Sequence, residues 1–257
     1  MRRSYASVTE LPGMGATREQ LSMLYTRYRL AVRHAAGKDV LEVACGPGIG
    51  LGYLARAART VVGSDFDEAL LGQARATYGP TMRLVRLDAH TLPFAGRTFD
   101  LVLLYEALYY LSAPERFLRE ARRLLRPDGT LLISTVNRLW SGFNPSPYTF
   151  RYFTAPELRA LLRAEGFDVA LYAAFPARSR GAREAMLATL RRAAVSLHLI
   201  PPSMRGKTVL KRLVYGPLAK LPAEARDGMA PEAPLVRLEE EDGAAGFKVL
   251  YVVAHPS

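Results

Sequence analysis

Val40–Gly52 reads VLEVACGPGIGLG: an apolar strand carrying one acid, Glu42, then glycines at Gly46, Gly48, Gly50 and Gly52, then a helix-forming run. A strand that empties into a glycine-rich turn at a helix start lets backbone N–H groups approach a ligand with no Cβ in the way. The pattern is close to the dinucleotide-binding fingerprint but departs from it. Glu42 stands inside the strand, four residues before the first glycine, where a nicotinamide-binding strand is apolar throughout.

Downstream, Leu51–Ala58 predicts a crossover helix and Thr60–Ser64 a second strand that ends at Asp65. Asp65 lies 19 residues beyond Gly46, close to the offset of about 20 at which an acid meets ribose hydroxyls in such folds. A carboxylate suits that role because it accepts from both the 2′ and the 3′ hydroxyl, and Phe66 is placed to lie against an adenine ring. The competing reading of Asp65 is a helix N-cap. Glu68–Tyr78 predicts a helix, and Met82–Leu87 a strand running into Asp88-Ala89-His90. Phe99–Tyr105 predicts the fourth strand, with Glu106-Ala107-Leu108-Tyr109-Tyr110 directly after it. Ser112-Ala113-Pro114-Glu115 reads as a capping box opening a helix to Leu125, and Arg126–Gly129 as a turn into a strand over Thr130–Val136. Strands alternating with helices predict a doubly wound, mostly parallel α/β sheet. Ligands of such sheets bind outside the carboxyl ends of the strands. The glycine turn, Asp65, Asp88 and Tyr105–Tyr109 all fall at that one edge.

The E-x-x-x-G-x-G-x-G motif, the acid at Asp65, Asp88-Ala89 followed by Leu92-Pro93-Phe94, and FDLVLLY with its following turn come in order. Together they resemble the class I S-adenosylmethionine (SAM) dependent methyltransferases of the small-molecule type. LLRPDGTLLIS resembles a further motif of that family, with Asp128 where a glycine is usual. The resemblance covers about residues 20–175 and the last strand. It implies a Rossmann-like, seven-stranded sheet with an antiparallel last strand, and SAM as cofactor. Glu42, Gly46, Gly48, Gly50, Asp65, Phe66, Asp88, Ala89, Tyr105 and Tyr25 are then the cofactor-binding candidates. Asp88 and Ala89 would read the adenine edge, and the turn after Tyr105 would lie beneath the transferable methyl. The helix before the first strand covers the cofactor in the family, which makes Tyr25 and Tyr28 lid candidates or ordinary core aromatics. The reaction implied is in-line methyl transfer to an oxygen, nitrogen or carbon nucleophile, in which alignment and a dry pocket are the main contribution of the protein. A hydroxyl acceptor also needs a base within hydrogen-bond reach, for which Glu106, Tyr109, His90 and His198 are candidates. No metal site is expected.

Thr17 and Gln20 form a capping box for a helix with Leu21, Leu24, Tyr25, Tyr28, Val32 and Ala35 on its apolar face. Residues 1–16 read as an arm. Residues 1–36 are thus an arm and covering helix, 37–175 the cofactor-binding core, 176–246 a basic helical insertion, and 247–257 the last core strand. Thr154 and Glu157 form another capping box, for a helix to Glu165 capped by Gly166, and Phe167–Phe175 a sixth strand. The aromatic loop 137–153 offers Trp140, Phe143, Tyr148, Phe150 and Tyr152 to line an acceptor pocket or to pack the sheet.

The chain of 257 residues has a net charge of +11. Between Pro176 and Pro234 there are 11 Lys+Arg against 4 Asp+Glu, a local net of +7. That concentration points to a surface patch rather than general solubility. Helical spacing with interleaved arginines over Ala182–Leu199, and a second basic-apolar run over Lys207–Leu221, predict a helical cap. It is read as a lid over the acceptor, a contact between copies, or a peripheral contact with an anionic membrane through 176–234. Nucleic-acid binding lacks an accompanying signature. No apolar run is long enough to span a membrane, the N-terminus lacks a secretory apolar region, and the single Cys45 fits a reducing, cytoplasmic setting. The partner expected is a small-molecule acceptor, lipid- or sugar-linked ones included. Two alternative functions are a nicotinamide-dependent oxidoreductase and a non-catalytic SAM-binding module recruited through the insertion.

Overall fold

The computed structural model describes residues 5–140, 142–177, 218–240 and 242–257. Strands β1 (Gly15–Ala16) and β8 (Ala219–Lys220) pair as a small antiparallel ribbon. The main sheet has the order β4-β3-β2-β5-β6-β10-β7-β9, with β2 at Asp39–Val43, β3 at Thr60–Asp65, β4 at Arg83–Arg86, β5 at Phe99–Tyr105, β6 at Leu125–Val136, β7 at Phe167–Pro176, β9 at Val236–Arg237 and β10 at Phe247–Pro256. β4, β3, β2, β5 and β6 run parallel to their neighbours. β10 lies antiparallel between β6 and β7. The seven expected strands and the reversed last one are therefore present. The two-residue β9 lengthens the sheet to eight by pairing with Tyr172 and Ala173.

Helices α1 (Arg18–Ala35), α2 (Leu51–Ala55) and α3 (Glu68–Tyr78) cover one face, and α4 (Pro114–Leu124) and α5 (Ala155–Ala164) the other. Alternation along β5 feeds both layers, with Leu101, Leu103 and Tyr105 facing the first and Val102 and Leu104 the second. The capping boxes at Thr17 and Thr154 form as expected. The one expected at Ser112 does not. Pro114 occupies the first turn, the N-cap is Ala113, and no side chain caps it. The expected turn Arg126–Gly129 belongs to the long strand β6, whose register with β5 shifts between Phe99 and Leu101.

The helical stretches expected over Ala182–Leu199 and Lys207–Leu221 lie outside the described residues apart from 218–221, where Ala219–Lys220 is a strand. Most of the basic excess lies outside them too. The described segment that follows is a strap over α1 and α2. The Gly228 N–H donates to Tyr25 Oη at 3.0 Å and the Ala225 N–H to the Ile49 carbonyl at 2.7 Å. Asp227 and Glu232 pair with Arg29 and Arg33, and Glu224 with Arg56. Among the described residues no helix is long and apolar enough to cross a membrane.

Candidate active site

The strand order reverses beside β2, which has β3 on one side and β5 on the other. A crevice opens at such a switch point, at the carboxyl ends of the strands. Here it is a cavity of about 580 Å3, lined by Glu42, Gly46, Asp65, Phe66, Asp88, Ala89, His90, Tyr105, Glu106 and Tyr109 among others. Candidates found separately along the sequence are thus brought together. Gly48, Gly50 and Tyr25 lie outside the lining. Gly48 packs toward Leu51 and Ala74, and Gly50 lies under the ring of Tyr28. Tyr25 is turned to the strap, where its hydroxyl accepts from Gly228.

The glycine turn is built from left-handed residues, with φ of +58° at Ala44, +58° at Gly46 and +79° at Gly48. The turn is stitched to β3: the Cys45 N–H donates to the Ser64 carbonyl at 2.8 Å and the Gly46 N–H to Asp65 Oδ2 at 2.8 Å. Asp65 Oδ1 accepts from the Asp67 N–H at 2.8 Å. The Phe66 N–H also bonds the Asp65 carboxylate, so three backbone donors hold it at the cavity. The N-cap of α3 is Asp67, not Asp65, and it also accepts from the Tyr5 N–H. Burial raises the Asp65 pKa, opposed by these N–H donors. Cys45 is buried and its thiol pKa is raised by burial, as befits a turn residue rather than a reactive thiol.

Glu42 is 1% exposed. Its Oε1 accepts from the Tyr28 hydroxyl at 2.7 Å, while Oε2 has no hydrogen-bond partner among the described residues. Burial pushes its carboxyl up to about 7, against the pull of Tyr28 and Arg27. Arg27 Nη2 pairs with Glu10 at 2.6 Å, and its buried Nε is likewise without a partner, as is the hydroxyl of Tyr105. All three orphaned atoms belong to residues that line the cavity.

Arg27, Tyr28, Glu10 and Tyr5 were not expected in the site, apart from Tyr28 as a lid candidate. The helical period marks the buried face of α1 but not which residue of that face crosses the cavity. The arm carries no motif at all. His90 is held in place: Nδ1 meets Asp88 Oδ1 at 2.6 Å, and Nε2 accepts from the Ala113 N–H at 3.3 Å. Both ring nitrogens thus have partners within the protein. Of the loop aromatics, Phe150 and Tyr152 line the cavity. Trp140 instead lies under Lys248, Phe143 packs on the edge of Tyr152, and Tyr148 meets Tyr5. His198 lies outside the described residues. No cluster of potential metal ligands exists among the described residues.

Residues 41–133 match the family model described as a methyltransferase domain. A probable SAM-dependent methyltransferase of Mycolicibacterium smegmatis is 36% identical over 148 residues, 55% of this chain and 56% of that protein. A phthiotriol/phenolphthiotriol dimycocerosates methyltransferase of Mycobacterium ulcerans is 41% identical over 104 residues, 39% of this chain and 38% of that one. The matched region spans about half the length of the first of these relatives. A SAM-dependent methyltransferase structure from Thermotoga maritima superposes with a TM-score of 0.55 over 93% of this chain and 92% of that one, at 16% identity, a likeness of fold. Residues 41–133 are thus similar to a methyltransferase domain, and the fold as a whole is like that of SAM-dependent methyltransferases.

Proposed function

We propose that the protein transfers a methyl group to a nucleophile of a small molecule, an acceptor that can be lipid- or sugar-linked. The observation that carries this reading is the set of buried, unpartnered polar atoms on one cavity: a carboxylate oxygen on Glu42, a guanidinium N–H on Arg27 and the Tyr105 hydroxyl. Buried polar atoms are normally paired. An amino acid's ammonium and carboxylate supply the complementary charges, and SAM carries both. In this reading Glu42 holds the ammonium and Arg27 the carboxylate. Asp65 accepts from the ribose hydroxyls. Phe66 lies along the adenine, and Asp88 with the Ala89 N–H meets its edge. The cofactor supplies an electrophilic sulfonium methyl, and the chain supplies alignment and exclusion of water. Names of the relatives that act on phthiotriol-type lipids are compatible with a hydroxyl acceptor.

Calorimetric titration tests the reading. Saturable binding of SAM and S-adenosylhomocysteine is expected, with no binding of NADH. A preparation that holds NADH and ignores SAM would overturn it. Accumulation of S-adenosylhomocysteine on adding a metabolite extract separates catalysis from mere cofactor binding.

A further inference from the structure

We propose that the tyrosine-lined end of the cavity is the acceptor site, that it takes a planar aromatic molecule bearing a free hydroxyl, and that Glu106 accepts the proton of that hydroxyl. This rests on the cofactor reading above and goes beyond it by naming the acceptor class and the base.

The shape comes from stacked and edge-on rings. Tyr109 and Tyr152 lie with centroids 4.7 Å apart and planes inclined by 27°. Tyr110 meets Tyr109 edge-on at 4.6 Å. These rings pack on one another and line the cavity, a surface that suits a flat ring in offset or edge contact. The hydroxyls of these walls are occupied elsewhere. Tyr110 Oη bonds Ser146 Oγ at 2.8 Å, and Tyr152 Oη accepts from the Ser146 N–H at 2.9 Å. The walls therefore present mainly ring surface beside the Glu106 carboxylate.

Glu106 follows β5 with φ of +51°, a conformation that strains a residue with a Cβ. It is held there by its N–H on the Ser134 carbonyl at 2.9 Å and by the Ser134 hydroxyl on Oε1 at 3.2 Å. The Tyr109 hydroxyl is a long 3.4 Å from Oε2. Both oxygens keep acceptor capacity toward the cavity that Glu106 lines. Burial raises its pKa, with Arg27 opposing, which brings the carboxylate closer in basicity to a hydroxyl. The charges around it select against anions. Arg27 is paired with Glu10 and, in the cofactor reading, its remaining N–H is taken by the SAM carboxylate, so a carboxylate or phosphate acceptor would meet Glu106 without a free cation. In the reaction, a lone pair of the acceptor oxygen forms the new O–CH3 bond. The C–S bond breaks with its pair going to sulfur, which leaves as the thioether of S-adenosylhomocysteine, and the hydroxyl proton passes to Glu106.

The test uses the full chain saturated with S-adenosylhomocysteine and two probes of one shape, 2-naphthol and 2-naphthoate. Wild type is expected to prefer the naphthol by at least about tenfold, the size of one unpaired like charge. In Glu106→Gln that preference is expected to shrink to within about threefold, while formation of 2-methoxynaphthalene from SAM and 2-naphthol falls by at least about a hundredfold. Glu106→Asn, which tolerates a positive φ, is expected to behave likewise. S-adenosylhomocysteine affinity reports that each variant is folded. Wild type binding the naphthoate as well as the naphthol, failing to methylate bound naphthol, or keeping its turnover in both variants would overturn the proposal. Failure of S-adenosylhomocysteine to bind wild type would instead overturn the cofactor reading.

Discussion

Replacing Glu42 by Gln is expected to stabilise the unliganded protein at pH 8 and to leave it little changed at pH 5. Burial lifts the Glu42 carboxyl from its ordinary 4.5 to about 7 in the folded chain. Between these values the folded state holds a proton that the unfolded chain has released. Stability from this group is therefore full below about 4.5 and declines as pH rises to about 7, after which it is flat. A rise of roughly 2.5 in pKa corresponds to about 3 kcal/mol, of which about 2–3 kcal/mol develops between pH 5 and pH 8. Gln is isosteric, neutral at both pH values and still able to accept from the Tyr28 hydroxyl. Urea denaturation of wild type and variant at the two pH values isolates Glu42, because every other titrating group is common to both. The stability gap in favour of the variant should widen by about 2–3 kcal/mol at pH 8, on the order of 5–10 °C in midpoint temperature for a chain of this size. SAM affinity should fall in the same variant. A gap that stays constant from pH 5 to pH 8 would refute the assignment of a buried, unpaired carboxylate.

Three other substitutions probe the frame. Asp65→Ala removes the acceptor of the Gly46 and Asp67 N–H groups, at about 1–3 kcal/mol of stability for each donor left unpaired, and with it the proposed ribose acceptor, so calorimetry should show SAM affinity lowered by at least an order of magnitude. Gly50→Ala would place a Cβ 1.8 Å from Tyr28 Cε1, and overpacking of this kind typically costs about 1–3 kcal/mol. Thermal denaturation should show that loss, and SAM binding should weaken because the displaced ring carries the hydroxyl on Glu42. Arg159→Met should cost about 3 kcal/mol in urea denaturation, since the buried guanidinium bonds the carbonyls of Leu238, Glu239 and Glu240, while SAM affinity stays within about twofold.

What the sequence made legible was local. Glu42, Gly46, Asp65 and Asp88 sit at the ends of short apolar runs, so alternation placed them on one edge before any contact was known. Tyr25 and Tyr28 show where such reasoning stops. They are three residues apart on one buried face of α1, yet one bonds the strap and the other bonds Glu42. The difference is set by how α1 crosses β2 and β5, a long-range matter. The arm is illegible for the same reason, because Tyr5 and Glu10 are fixed by Asp67 and Arg27 rather than by their neighbours. The Ser112 cap fails for a local reason that was available. Pro114 is favoured at the first helical position, which assigns the cap to the residue before it, Ala113.

The unpaired atoms also explain why stability and function should oppose each other here. Each buried donor or acceptor without a partner costs about 1–3 kcal/mol, and Glu42, Arg27 and Tyr105 each contribute one to the same cavity. A fold optimised only for stability would replace Glu42 by an apolar residue, as on the neighbouring positions Leu41 and Val43 of β2. In the proposed function the missing partners arrive with the cofactor, so the destabilisation is local to the free protein and reverses on binding. The same logic fixes the order of effects across variants. Those that remove the buried charge of an orphaned group should gain stability and lose affinity, as argued for Glu42, whereas Gly50→Ala and Asp65→Ala, which break satisfied contacts, should lose both. A Glu42→Gln protein that lost stability and affinity together at pH 8 would place Glu42 with the second set, as a satisfied structural group, and would remove the observation on which the cofactor reading stands.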